Sequence, residues 1–158
     1  MNYIEITVKI GIIVLLSGII GLDRELKHKP AGLKTHILVG LGSTIFTLVS
    51  LYMFYEFQGK QGASVDPGRI AAQVVTGIGF LGAGTIMQSK GTITGLTTAA
   101  SLWAVAGIGL AVGAGMYPLA VISTGAILLI FFIINKLAYA LENQVSKIRK
   151  GRGKPAKK

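Results

Sequence analysis

Three polar segments interrupt an otherwise apolar chain, and they hold the side chains with chemistry to offer. The first runs Asp23-Arg24-Glu25-Leu26-Lys27-His28-Lys29-Pro30-Ala31-Gly32-Leu33-Lys34-Thr35-His36. Asp23 with Lys27, and Glu25 with Lys29, have the acid-first i,i+4 spacing that supports a helical extension. Pro30 and Gly32 then end it. The two carboxylates are hard oxygen ligands of the kind that hold a hydrated magnesium ion, although the neighbouring cations oppose this. His28 and His36 have the chemistry of a pH sensor. The plain structural alternative is a loop that neutralises its own charge.

The second segment is Asp66-Pro67-Gly68-Arg69. Asp66 reads as a helix N-cap and Pro67 suits the first turn. Arg69 is placed to pair with Asp66 or with a lipid phosphate, and the functional reading is a gate or ion contact at that face. The third is Gln88-Ser89-Lys90-Gly91-Thr92-Ile93-Thr94-Gly95-Leu96-Thr97-Thr98-Ala99-Ala100-Ser101-Leu102-Trp103. Its hydroxyls sit at a helix start, where capping is the plain reading. Thr97, Thr98 and Ser101, with Gln73, are also suited to line a polar path or to bond across helices. Trp103 is expected to pack against glycines. No nucleophile–base pair is visible, so the reading is non-enzymatic, with no cofactor and no metal assignable from the residues. Gly77, Gly79 and Gly82 formally match GxGxxG, but a dinucleotide loop needs a preceding strand and an acid about twenty residues on. No acid lies between Asp66 and Glu142.

The elements that must carry these residues are membrane helices. From Gly91 to Asn135 there is no charged side chain. At about 1.5 Å per helical residue that stretch reaches roughly 68 Å, about twice the hydrocarbon thickness of a bilayer. Two crossings explain it, with Met116-Tyr117-Pro118 as the turn. Uncharged runs at 10–22, 37–55 and 70–89 repeat the theme. The chain therefore reads as an all-α polytopic bundle of about five transmembrane helices, near 3–22, 37–57, 70–88, 95–113 and 117–137. Residues 1–137 form the membrane domain, and 138–158 a basic cytoplasmic tail. Glu5 and Lys9 fall inside the first span and are expected to snorkel to the interface.

Basic residues sort by side. With five spans, Arg24, Lys27, Lys29, Lys34, Lys90, Lys136, Lys147, Arg149, Lys150, Arg152, Lys154, Lys157 and Lys158 share one side. Only Lys9, Lys60 and Arg69 fall on the other. The positive-inside rule then places the N-terminus outside and the C-terminus in the cytoplasm. The same asymmetry accounts for the net charge of +10 without nucleic acid. The tail is a candidate for anionic lipid, at about 1 kcal/mol per basic residue. The absence of cysteine excludes disulfides, thiolate metal sites and a cysteine nucleophile. The first span lacks the basic start and cleavage site of a signal peptide.

Twenty-two glycines are many for this length. Gly77, Gly79, Gly82 and Gly84 crowd the third span, and Gly107, Gly109 and Gly113 the fourth. Small faces let helix backbones approach closely in lipid. The expectation is helix packing within the bundle, with a pore, a broken helix or a homo-oligomer seam as the sharper alternative.

Together these segments resemble the MgtC/SapB family of bacterial inner-membrane proteins. The motifs are Gly21-Leu22-Asp23-Arg24-Glu25, then Lys29-Pro30-Ala31-Gly32-Leu33-Lys34-Thr35-His36, then Asp66 through Gly84, and Gly95 through Trp103. The resemblance covers roughly residues 5–135. It implies a five-span domain in the bacterial inner membrane and a link to magnesium homeostasis, to growth in low magnesium and to acid stress. Virulence members are described as restraining the proton-driven ATP synthase, which makes that enzyme a candidate membrane partner. They also carry a cytoplasmic domain after the membrane part, where this chain has a helix-length tail, so functions resting on that domain are not expected here. The functional expectation is a regulator acting by helix–helix contact, with magnesium or proton transport as the alternative. Asp23 is expected to bond across the bundle, to Lys34-Thr35-His36 or to the start of span four. Reporter fusions at Lys60 and after Lys150 are expected to report opposite compartments; one compartment for both would overturn the five-span arrangement.

Overall fold

The computed structural model describes residues 2–60, 66–89 and 91–152, with side chains described through Leu137 except Asn135. Lys90 and the tail beyond Arg152 lie outside the described residues, and so do the side chains of 138–152. Five helices follow one another: α1 (Tyr3–Leu26), α2 (Leu33–Phe57), α3 (Pro67–Gly84), α4 (Leu96–Gly113) and α5 (Tyr117–Arg152). Between α3 and α4 lies a small antiparallel hairpin, β1 (Met87–Ser89) and β2 (Thr92–Thr94). The chain is an all-α membrane bundle. Among the described residues α1, α2, α4 and residues 117–134 of α5 are long and apolar enough to cross a bilayer. α3 has the length, at 18 residues, but Pro67, Arg69 and Gln73 lower its apolarity. It ends at Gly84, short of the expected 88, because residues 87–89 pair with 92–94 instead. Gly95 joins the hairpin to α4 as its N-cap. Its φ of +89° suits glycine, and a Cβ there would overlap the Thr85 carbonyl.

Helix ends follow local chemistry. The Asn2 side chain accepts from Ile4 N at 3.2 Å to cap α1, and Asp66 accepts from Gly68 N at 2.8 Å to cap α3. Residues 1–124 form one compact unit and 125–158 a second.

Within the first unit the helices alternate in direction. Gly21 of α1 faces Leu33 and His36, and Ser17 faces Gly40, so α1 and α2 are antiparallel. Ser50 donates to Pro67 O at 2.7 Å, while Ile78 clusters with Ala31 beside the start of α2. α3 therefore runs back along α2 through most of the depth α2 covers, despite its modest apolarity. α4 runs parallel to α2: His36 meets Ser101, Thr44 meets Gly109, and Thr47 meets Gly113.

The α2–α4 contact is the tightest. A Cβ on Gly109 would collide with the Gly40 carbonyl and lie 2.7 Å from Ser43 Cβ, and one on Gly113 would lie 2.6 Å from Thr47 Cβ. Gly82 meets Ala99 at an ordinary 3.6 Å. Gly77, Gly79, Gly84 and Gly107 are different, because a Cβ at any of them has no described neighbour within 4 Å. The glycine run is thus a packing face within the chain at Gly82, Gly109 and Gly113 only. Trp103 also departs from expectation: it is 58% exposed, on the side of α4 turned away from α1 and α2. Spacing sets which residues share a face, but not which face meets a neighbour.

Lys9 does not snorkel. It is buried, donates to the Gly113 carbonyl at 3.0 Å and pairs with Glu5 at 2.8 Å. The carbonyls left open at the end of α4 attract an ammonium group more strongly than the short reach to the interface does. Gly109→Ala is expected to destabilise the bundle by about 1–3 kcal/mol through overpacking. Gly107→Ala is expected to be neutral or stabilising by up to about 1 kcal/mol through helix propensity. Size-exclusion recovery of each variant after graded heating in mild detergent checks the pair.

Candidate functional site: a polar joint between three helices

The turn from α1 into α2 is built from the first sequence motif, and one of its carboxylates holds the turn. Glu25 reaches forward to accept from Leu33 N at 2.9 Å. That supplies the cap that Gly32, the N-cap residue, cannot, and sets a carboxylate at the positive end of α2. Gly32 must be small, since a Cβ would overlap the Glu25 carboxylate. Ala31 is 2% exposed and fills a cluster with Ile78, Leu102 and Ala106. Pro30 stays exposed on the turn.

Behind this turn lies a buried network against α4. Arg24 Nη2 donates to Thr98 Oγ1 at 3.3 Å, with both residues buried. His36 is fully buried between Gly32 and Ser101. Its Nδ1 lies 2.8 Å from Gly32 O, and its Nε2 3.0 Å from Ser101 Oγ. A carbonyl only accepts, so Nδ1 carries a hydrogen. Ser101 Oγ also lies 2.8 Å from Thr98 O. The single hydroxyl hydrogen serves either Thr98 O or His36 Nε2. With it on Nε2, the ring is neutral.

Asp23 does not cross the bundle as expected. It pairs with Lys27 on its own helix at 2.5 Å, and its Oδ2 is buried without a hydrogen-bond partner among the described residues. Arg24 makes the crossing instead. Adjacent helical residues differ by about 100° in direction, so only one can face α4. The structure thus brings together Arg24, Glu25, Gly32, His36, Thr98 and Ser101. Asp66 and Arg69 lie at the other end of α3, both exposed. Gln73 is exposed beside a groove between α2 and α3, which Thr35 also lines. Thr97 is exposed at the start of α4. The expected path of Gln73, Thr97, Thr98 and Ser101 is therefore split between buried and exposed positions.

Three further polar contacts went unread in the sequence. Thr44 Oγ1 lies 3.0 Å from both Gly40 O and Gly109 O, Thr47 donates to Ser43 O at 2.8 Å, and Lys9 caps α4. The recurrence of Gly40, Ser43 or Thr44, Thr47 and Ser50 at steps of three and four residues was the available signal.

The motifs at this joint lie within a region, residues 10–140, that matches the model of the MgtC family. The chain belongs to the MgtC family. It is 41% identical over 140 residues to an Escherichia coli K12 protein named "Putative magnesium transporter YhiD", covering 89% of this chain and 65% of that one. It is 47% identical over 114 residues to SapB of Bacillus subtilis, covering 72% and 49%. It is 38% identical over 141 residues to MgtC of Brucella abortus, covering 89% and 55%. The chain thus spans about half to two thirds of the length of these MgtC-family relatives. No solved structure matches it. Ser101→Ala is expected to destabilise this MgtC-family fold by about 1–3 kcal/mol, because it strands His36 Nε2 inside the bundle. Thr97→Ala, one turn away but exposed, is expected to stay within about 0.5 kcal/mol. Unfolding of the two variants in mixed micelles measures the difference.

Proposed function

We propose that this chain is a non-enzymatic protein of the bacterial inner membrane, linked to magnesium homeostasis and to adaptation to low magnesium or acid. In this reading it sits N-out and C-in and acts by contact between its helices and those of a membrane partner. The observation that carries the reading is the charge of the bundle interior. Lys9 and Arg24 are the buried charged residues among those described, at 6% and 4% exposure. At low dielectric two cations repel a magnesium ion strongly. The interior hydroxyls of Thr44, Thr98 and Ser101 are already engaged in hydrogen bonds. The interior is thus suited to a fixed scaffold.

The faces available for contact are outward ones. Gly79 and Phe80 of α3, and Ala100, Trp103 and Gly107 of α4, are exposed in the bundle. Exposed small residues beside a large aromatic suit the close approach of another helix. The ATP synthase is a candidate partner through the family resemblance, and a second copy of this chain is another.

The competing reading is transport, favoured by the name of the YhiD relative. There Asp23, Glu25, Asp66 and Arg69 gate a path past Gln73, Thr97, Thr98 and Ser101. Liposomes holding the pure protein and a magnesium-sensitive dye separate the two. The contact reading expects no flux above empty liposomes. Flux that Asp23→Asn abolishes would replace it with transport. In cells, Gly79→Leu and Gly107→Leu are expected to express normally and to lose support of growth in low magnesium. Full support by the double variant would sink the contact reading.

A further inference from the structure

Along α2 and α3 runs an open groove of about 840 Å³. Its α3 wall changes character turn by turn. Arg69 comes first, in the opening turn, exposed and without an ion pair among the described residues. Asp66 forms no ion pair with it among the described residues, and its carboxylate caps Gly68 N. Gln73 follows one turn deeper, exposed, its amide without a hydrogen-bond partner among the described residues. Gly77 comes next, and Leu81 closes the wall. Across the groove Gly42 of α2 leaves matching room, because a Cβ at Gly42 or at Gly77 meets no described atom within 4 Å.

We propose that this groove binds one glycerophospholipid, with its phosphate on Arg69, its glycerol ester carbonyls at Gln73 and an acyl chain laid over Gly77 and Gly42. The order of chemistry along the wall is the order along such a lipid. A guanidinium at a span end meets a phosphate with a planar fork of donors. An amide in bare hydrocarbon loses its hydrogen bonds with water, and an ester carbonyl a few atoms below the phosphate restores one. Beyond that depth the wall offers only apolar surface and glycine. Length agrees as well. From Arg69 to Leu81 is twelve residues, about 18 Å of helix, close to the roughly 15 Å of one leaflet's hydrocarbon. A partner helix would have to bring its own anion and its own polar group at matched spacing, whereas every diacyl glycerophospholipid carries both.

The test uses the full chain in mild detergent, titrated with phosphatidylglycerol and read by native mass spectrometry. The wild type is expected to hold one lipid per chain. Arg69→Gln is expected to weaken that first binding by about tenfold. Gly77→Leu keeps every charge and fills the acyl track, and the same loss is expected. Thr76→Leu, its neighbour outside the groove lining, is expected to bind as the wild type does. Wild-type lipid retention in both Arg69→Gln and Gly77→Leu overturns the proposal. Lys34, in the first turn of α2, also lines the groove, and loss with Lys34→Gln in place of Arg69→Gln overturns the proposal by moving the headgroup to that end. A two-chain mass that Gly77→Leu converts to one chain, with lipid binding unchanged, assigns the groove to a second copy instead.

Discussion

Where Gly40, Thr44 and Thr47 of α2 meet Gly109 and Gly113 of α4, the two backbones come so close that a single methyl group on either α4 glycine would collide with the other helix. Lipid offers no hydrophobic drive to press helices together, so association rests on dispersion at short range and on hydrogen bonds across the seam. Thr44 supplies such a bond by reaching Gly109 O while keeping its own Gly40 O in range. Once this seam is set, the depth of every other contact follows. His36 comes level with Ser101, Arg24 with Thr98, and Lys9 with the open carbonyl end of α4.

The same seam explains why the bundle tolerates buried cations. Lys9 and Arg24 each sit where a helix of the packed trio ends or begins. Lys9 meets backbone carbonyls at the negative end of α4, and Arg24 meets a hydroxyl in its first turn. Lys9 thus lies where the helix dipole favours its charge. The turn between α1 and α2 uses the converse arrangement, with the Glu25 carboxylate at the positive start of α2. Polar residues that look like a reactive cluster in one dimension are therefore spread over two jobs, capping and cross-bracing. Asp23 stands apart from both, with one carboxylate oxygen on Lys27 and the other buried without a described partner.

α3 is less enclosed than α1, α2 or α4. It follows α2 in depth but packs through one face, at Val74, Ile78 and Gly82. Its other faces carry Arg69, Gln73, Gly77, Gly79 and Phe80 outward. A helix weakened by glycine and bearing an amide in lipid needs company, and two kinds are at hand. The α2 side offers a groove of lipid-like polarity. The faces of α3 and α4 that carry Gly79, Trp103 and Gly107 offer contact with another helix. The packed trio of α1, α2 and α4 thus contrasts with α3, which keeps most of its surface exposed.

Uncharged lengths, capping residues and motif order were enough to establish a helical membrane bundle, because burial of charge in hydrocarbon is costly whatever the tertiary arrangement. The Asp66 cap and the turn before Pro118 follow from local chemistry and could be read directly, whereas α1 ends at Leu26, four residues before Pro30, and Glu25 caps α2 in place of pairing with Lys29. The close faces of Gly109 and Gly113 were also visible as spacing. Rotation was not. Asp23 and Arg24 are neighbours of opposite charge, and only the packing of α1 on α4 decides that Arg24 faces in. Nor could spacing separate Gly109, pressed on α2, from Gly107, two residues away and open. Lys9 turned inward because the end of α4 lies beside it, a fact about a helix more than a hundred positions away. Residues 87 and 88 left the expected helix because Met87–Ser89 pairs with Thr92–Thr94 in an antiparallel hairpin. Local sequence decides where helices exist; which side of each helix touches what is settled only when all of them pack.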